Sequence, residues 1–296
     1  MEIGIALPTM ARGFSRDTMV AWCRGVDGGP FSSISTGDRL SFHNPELVTT
    51  TAAAAALTSR VRVITNVVVL PLHNTAIVAK QLATIDVMSE GRLTVGVGVG
   101  GREQDYLAAG VPFERRHQRL DESVAALRRT WAPTALAEGV EPIGPAPLQP
   151  GGPPILAGTL GPRAMRRAAA WADGVTGFTI TADGAEIRRV NETAAAAWDG
   201  AGRSTPPRLV NGTFYLLGGR EPREALQSFA YDYLRVFGSD VARALAAGVA
   251  VADADRLRRV LDDAAAAGCD EFILVPGTTD PGCLEATAAA VGTVTS

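Results

Sequence analysis

The chain is poor in the residues on which several enzyme classes depend. Its three cysteines, Cys23, Cys269 and Cys283, are odd in number and show no C-x-x-C spacing, so neither a disulfide framework nor a zinc knuckle is supported. Free cysteine is usually buried, and three reduced, buried thiols are the expectation. Lys80 is the only lysine among 28 basic residues, which leaves almost nothing from which to build a Schiff base or a Walker loop. The patterns H-E-x-x-H, G-x-S-x-G and G-x-x-x-x-G-K-[ST] are absent, and His43, His73 and His117 stand too far apart in sequence to suggest a metal site. Positive charge is not in excess either. The 28 basic and 31 acidic side chains give a net charge of −3, which argues against a nucleic-acid or polybasic membrane binder. No apolar run approaches the roughly 18 residues that span a bilayer. The N-terminus lacks a basic segment followed by an apolar core, so a soluble, cytoplasmic protein is expected.

What is present is an ordinary globular composition, 46% hydrophobic and 20% charged over 296 residues, enough for two average domains or one α/β barrel. Strand-like and helix-like segments alternate throughout. Strands are expected over 2–7, 31–35, 61–70, 92–99, 155–157, 174–178, 209–217 and 271–275. The run 61–70 is β-branched and continuous, suited to burial on both faces. Helices are expected between them: 16–26 behind a Ser15 cap, 45–58 with Asn44 as cap and Pro45 at the first helical position, 75–88, 115–131, 162–171, 223–237, 254–267 and 284–291. About eight strands, each followed by a helix, imply a parallel sheet closed as a (β/α)8 barrel, one domain over residues 1–296. The Pro/Gly-rich residues 133–154 read as an insertion over one barrel mouth that, with loop residues from Arg12 and Phe178 to Thr181, helps to shape the pocket. In such a barrel the site lies at the carboxyl ends of the strands.

Several stretches at those ends can carry chemistry. In Ile155-Leu-Ala-Gly-Thr-Leu-Gly-Pro-Arg163 a strand runs into Gly158 and Gly161 before Pro162 opens a helix. Such a turn lets a phosphate meet backbone N–H groups, the Thr159 hydroxyl and Arg163, or it simply joins strand to helix tightly. Gly96-Val-Gly-Val-Gly-Gly101 fits G-x-G-x-x-G, but three strand–helix units precede it, which is the wrong context for a dinucleotide fold. Gly98 and its neighbours read instead as clearing space for a flat ring against the backbone. Asp38 and Arg39 follow the second strand and either orient a carbonyl or form a structural ion pair. His43 is either a general acid or base or an exposed loop histidine.

Together, Thr65-Asn-Val-Val-Val-Leu-Pro71, Ala79-Lys-Gln-Leu-Ala-Thr-Ile-Asp86, Ser89-Glu-Gly-Arg-Leu93 and Gly96 to Gly101 resemble successive blocks of the luciferase-like monooxygenase superfamily. So do Gly110-Val-Pro-Phe113 with Arg119 and Glu122, the Gly158–Arg163 turn and Ala172-Asp-Gly174. The resemblance runs from residue 1 to about 290 and is nearest to actinobacterial enzymes that use coenzyme F420. It implies a bacterial-luciferase-like barrel binding reduced F420 or, alternatively, FMN. It also implies a bulge with a non-proline cis peptide at Asn66, Val67 and Val68, placed at the Val67–Val68 bond and pressing on the ring. Gly158, Thr159 and Gly161 would take the phosphate, and Asp38 the ring's polar edge. Two departures matter: Arg39 stands where the family's sugar-phosphate dehydrogenases carry a histidine, and Gly101 where they carry a catalytic glutamate. The resemblance therefore does not extend to glucose 6-phosphate oxidation. His43, Arg39 and Glu103, with Arg102, are the local candidates for catalysis. The implied activity is hydride transfer to or from a small organic substrate. The alternatives are an FMNH2-dependent monooxygenase and a non-catalytic flavin-binding barrel. A homodimer and a separate F420 or flavin reductase are the implied partners.

Overall fold

Short apolar runs separated by capped, alanine-rich helices leave one arrangement that buries both faces of every strand: a closed parallel barrel wrapped in helices. That is the architecture of the computed structural model, which describes residues 1–159 and 161–292. The strands β1 (Glu2–Ala6), β2 (Ser33–Thr36), β3 (Arg62–Val69), β4 (Leu93–Gly98), β5 (Ile155–Gly158), β6 (Gly174–Thr176), β7 (Arg208–Tyr215) and β8 (Glu271–Pro276) pair in chain order, and β8 closes on β1. Around them run α1 (Arg16–Gly28), α2 (Leu47–Leu57), α3 (Thr75–Met88), α4 (Glu103–Ala109), α5 (Arg116–Trp131), α6 (Pro162–Ala168), α7 (Gly184–Gly200), α8 (Pro222–Leu234), α9 (Ser239–Ala247), α10 (Ala254–Ala266) and α11 (Pro281–Gly292). None of the described helices is long and apolar enough to cross a membrane.

Local chemistry sets the helix starts. Ser15 caps α1 by accepting from Thr18 N, and Asn74 caps α3 by accepting from Ala76 N and Ile77 N. For α2 the expected cap is corrected: Glu46, not Asn44, accepts from Val48 N and Thr49 N, and the helix starts at Leu47. Asn44 instead donates to the Pro45 carbonyl, which leaves Pro45 outside the helix. The short helices α4 and α9 have no counterpart in the sequence reading. Gly110, at φ +66°, ends α4, and glycines at 238 and 248 flank α9.

Inside the barrel the side chains form layers. At the amino-terminal end Glu271, fully buried, accepts from Ser32 Oγ, Ser33 Oγ, Arg62 and Arg208. The same two arginines grip Glu2. Arg62, and behind it Arg208, brings the Glu2 carboxyl down to about 2. Above this ionic plug lies an apolar layer of Ile64, Leu156, Val210 and Ile273, and above that the carboxyl ends open into a cavity. Residues 133–154 lie at the plugged end. Because α5 runs against the strands, Trp131 delivers the chain to that end. There Leu148 N and Gln149 N bond the buried Asp86 carboxylate, and Gln149 Nε2 reaches the Leu93 carbonyl. The expectation that this insertion shapes the pocket is therefore corrected. The three cysteines are buried as expected, and burial pushes the Cys23 thiol up to about 12.

Candidate active site

Where β3 meets β4, Thr65 pairs with Val95 and Val68 with Val97, so Asn66 and Val67 together oppose Gly96. This is a β-bulge, and it re-aims both side chains. The cis peptide is at Asn66–Val67, one bond earlier than the resemblance placed it. Asn66 Oδ1 accepts from Thr176 Oγ1 of β6 at 2.9 Å, tying the bulge across the barrel. Val68 does not face the site; it is fully buried in the core between strands and helices.

The bulge explains the glycines. A Cβ on Gly98 would lie 2.9 Å from Val67 Cγ2, and one on Gly158 2.9 Å from Val67 Cγ1. One on Gly96 would lie 2.3 Å from the Thr65 carbonyl oxygen. These glycines thus make room for Val67 and the bulged backbone, not directly for a ring. Val67 in turn borders a cavity of about 610 Å³ at the carboxyl ends of the strands.

The cavity has two unlike sides. On one, Gly158 ends β5 and Thr159 and Gly161 follow it, with Leu160 outside the described residues. On the same side the first turns of α5 bring His117 and Asp121, while α6 brings Arg167. Asp121 is bonded by Arg167 and, at 3.1 Å, by Trp171 Nε1. Burial and then the neighbouring cations Arg116, Arg167 and Arg163 hold the His117 imidazolium's pKa below its ordinary value, against the opposing pull of Asp121. On the other side, Phe178 from the end of β6, Phe214 of β7, Tyr233 of α8 and Phe237 make an aromatic wall. Phe178 and Phe214 meet edge to face with centroids 4.6 Å apart, and Phe214 meets Tyr233 at 5.2 Å.

Asn66, Val67, Gly98, Gly158, Thr159 and Gly161 line this cavity. The three candidate catalytic side chains do not, and their placement is corrected. His43 is exposed, bonds the Met10 carbonyl through Nε2 at 3.0 Å, and borders a separate smaller hollow with Arg12 and Phe14. Arg39 is buried with its guanidinium between the rings of Phe42 and Tyr233, 4.1 and 4.2 Å from their centroids, and donates to the Tyr233 carbonyl. Glu103 is exposed in the first turn of α4. Asp38 and Arg39 go separate ways. Asp38 Oδ2 accepts from Val69 N at 3.0 Å and contacts His73 Nε2 at 3.1 Å, which holds the chain leaving the bulge. Asp38 therefore sits behind the cavity lining, and Arg163 is exposed beyond the glycine turn. Of the aromatic wall, Phe178 falls in a stretch expected from the sequence to shape the pocket; Phe214, Tyr233, Phe237, His117, Asp121 and Arg167 went unread as site residues because they come from separate elements with no shared spacing.

A closed (β/α)8 barrel with a bulged third strand, and a glycine turn after the fifth, defines a class of small-molecule-binding barrels. The comparisons name it. The model of the luciferase-like monooxygenase family matches residues 1–291, and the chain belongs to that family. The uncharacterized protein Rv0953c of Mycobacterium tuberculosis is 32% identical over 166 residues, covering 53% of this chain and 57% of that protein. The chain thus spans little more than half the length of that curated relative. Among solved structures, an F420-dependent secondary alcohol dehydrogenase, in complex with an F420–acetone adduct, superposes with a TM-score of 0.79. Its identity is 17%, with 99% of this chain and 98% of that one covered. The oxygenating constituent of 3,6-diketocamphane monooxygenase from Pseudomonas putida, in complex with FMN, has a TM-score of 0.72 and 16% identity, covering 97% and 96%. At these identities the two structures establish the shared fold.

Proposed function

We propose that the protein is a two-electron oxidoreductase that binds reduced coenzyme F420 across the barrel mouth and acts on a small organic substrate. Three features fit a flat ring with an anionic arm. Ser35 Oγ, buried at the cavity, has no partner within the protein. A Cβ on Gly161 would meet nothing within 4 Å, so the turn after β5 is open to a ligand. Val67 is pushed toward the cavity by the bulge. Asn66 and Val67 would lie against the ring, Ser35 would meet a polar edge, and Gly158, Thr159, Gly161 and Arg163 would hold the phosphate.

The observation that carries the choice of F420 is the cation set beyond that turn. Arg163 is exposed just past the turn and Arg116 opens α5 beside His117, while Arg167 is bonded to Asp121. FMN ends at its phosphate, whereas F420 continues into an acidic oligoglutamate tail that such cations suit. When bound, the reduced deazaflavin supplies two electrons as a hydride equivalent, whereas reduced FMN supplies them to dioxygen. The chain itself positions and shields. The bulge fixes the ring plane, and the aromatic wall excludes water from the reacting face. Tyr233 is the titratable residue on that side of the cavity among the described residues, and burial raises its pKa, so its Oη stays a neutral hydroxyl that can hydrogen-bond a substrate oxygen.

Parallel fluorescence titrations of the apo-protein with F420 and FMN test the reading. F420 should bind at micromolar concentration and FMN at least about tenfold more weakly, a difference of about 1.4 kcal/mol. Arg163→Ala should weaken F420 more than FMN. The reverse order would make the protein an FMN-dependent monooxygenase served by a separate flavin reductase. Binding of neither would remove the assignment.

A further inference from the structure

The two sides of the cavity differ in charge as well as shape. Every charged or titratable residue that lines it, Tyr233 apart, belongs to the glycine-turn side: His117, Asp121 and Arg167, among the described residues. The opposite side is built from Phe178, Ile180, Phe214, Leu234 and Phe237, with Tyr233 between them. Charged groups near this wall are engaged elsewhere: Arg102 pairs with Asp105 at 3.2 Å, and Glu186 accepts from Thr179 Oγ1 and Thr181 Oγ1. The Arg39 guanidinium is held between two rings and bonded to the Tyr233 carbonyl. Asp232, next to Tyr233 on α8, is partnered by Arg12 at 3.4 Å. An ionised group on a ligand would therefore lose its hydration without gaining a counter-charge, a cost that buried charges do not survive unpaired.

We propose that the aromatic side of the cavity is the substrate subsite and that it takes an uncharged, predominantly apolar molecule with at most a carbonyl or hydroxyl as its polar group. This rests on the reading that the Gly158–Gly161 side holds the cofactor. The wall is preformed, since its rings already meet at edge-to-face distances, so affinity comes from filling it and not from reordering it. A cavity of about 610 Å³ has to hold the cofactor's ring as well, which keeps the substrate small.

The test is a set of ligands matched in size and different in charge. The full chain is loaded with the neutral fluorophore N-phenyl-1-naphthylamine, and cyclohexanone, cyclohexanecarboxylate and cyclohexylammonium are titrated as competitors. Cyclohexanone should displace the probe at concentrations at least about tenfold below either ion. Phe237→Arg, at a half-exposed position where folding is not at stake, should narrow the gap for the carboxylate and not for the ammonium. Equal or tighter competition by either ion, or no change of the carboxylate gap in Phe237→Arg, would overturn the proposal. The same samples are titrated with F420 and FMN. If neither cofactor binds while the neutral preference stands, the cofactor reading fails and the subsite survives. If a cofactor binds and the ions compete as well as the ketone, the subsite fails and the cofactor reading survives.

Discussion

Replacing Gly98 with alanine puts a new methyl 2.9 Å from Val67 Cγ2, closer than side-chain carbons approach one another in real cores. The other neighbours of that methyl are the Gly158 carbonyl oxygen at 3.5 Å and Val67 Cβ at 3.9 Å, both ordinary contacts. Val67 is thus the obstacle, and it stands in a packed barrel where overpacking of this kind costs about 1–3 kcal/mol. Val67→Ala removes both Cγ atoms. Val67 is only partly buried, so this change alone should cost about 1 kcal/mol. In that background Gly98→Ala meets no close atom, and its cost should fall to about zero or become a slight gain from the stiffer unfolded chain. The expected coupling between the two positions is therefore about 2 kcal/mol, measured by urea unfolding of the four variants with the slope m held in common. Gly96→Ala is the control: its methyl would lie 2.3 Å from the Thr65 backbone carbonyl, and Val67→Ala should not rescue it. Additive costs for Gly98→Ala and Val67→Ala, within about 0.5 kcal/mol, would refute the claim that these glycines exist to seat Val67.

At the plugged end, Glu271→Gln leaves Arg62 and Arg208 with a neutral amide in a fully buried place and Glu2 as their one remaining carboxylate, and should cost about 2 kcal/mol by thermal unfolding while cofactor titrations stay unchanged. The depressed Glu2 carboxyl binds its proton more weakly in the folded than in the unfolded chain, so its contribution is present above about pH 4.5 and is lost as the pH falls toward 2. Because Glu2 is partly exposed, Glu2→Gln should remove only about 1 kcal/mol at neutral pH and flatten the acid limb of the stability profile. His117 shifts in the same direction for the opposite reason, because burial and neighbouring cations disfavour its charged form. Its lowered pKa means that the folded chain resists protonation, so its effect on stability worsens as the pH falls from above 6.5 through the folded value. A phosphate bound beside it would favour the imidazolium, so inorganic phosphate or FMN should bind more tightly as the pH falls, with proton uptake. Calorimetry in buffers of different ionisation enthalpy should show that uptake in the natural chain and lose it in His117→Asn.

How much of this could be read in advance follows from where each signal resides. The barrel was legible because it is written in short-range order: the β-branched run that becomes β3, the capped α1, and the strict alternation that fixes strand order. The glycine turn after β5 was legible for the same reason, since strand, glycines, proline and helix are contiguous. The candidate catalytic residues were misplaced because the sequence marks a loop at a strand's end without saying which of its side chains curls inward. Arg39 turns sideways into Phe42 and Tyr233, almost 200 positions away, and Asp38 turns back to Val69 N and His73. The aromatic wall shows the same limit in reverse. Phe214 follows the inward phase of β7 set by Val210, so its direction could have been inferred. Its meeting with Phe178 and Tyr233 depends on closure of the barrel and on where α8 packs. Val67 joins the two kinds of information. Nothing local explains why positions 96, 98 and 158 lack side chains until the bulge in β3, one strand before the first two and two before the third, is seen to lean over all three. The glycines looked like room left for a ligand because the side chain that occupies that room lies elsewhere in the chain.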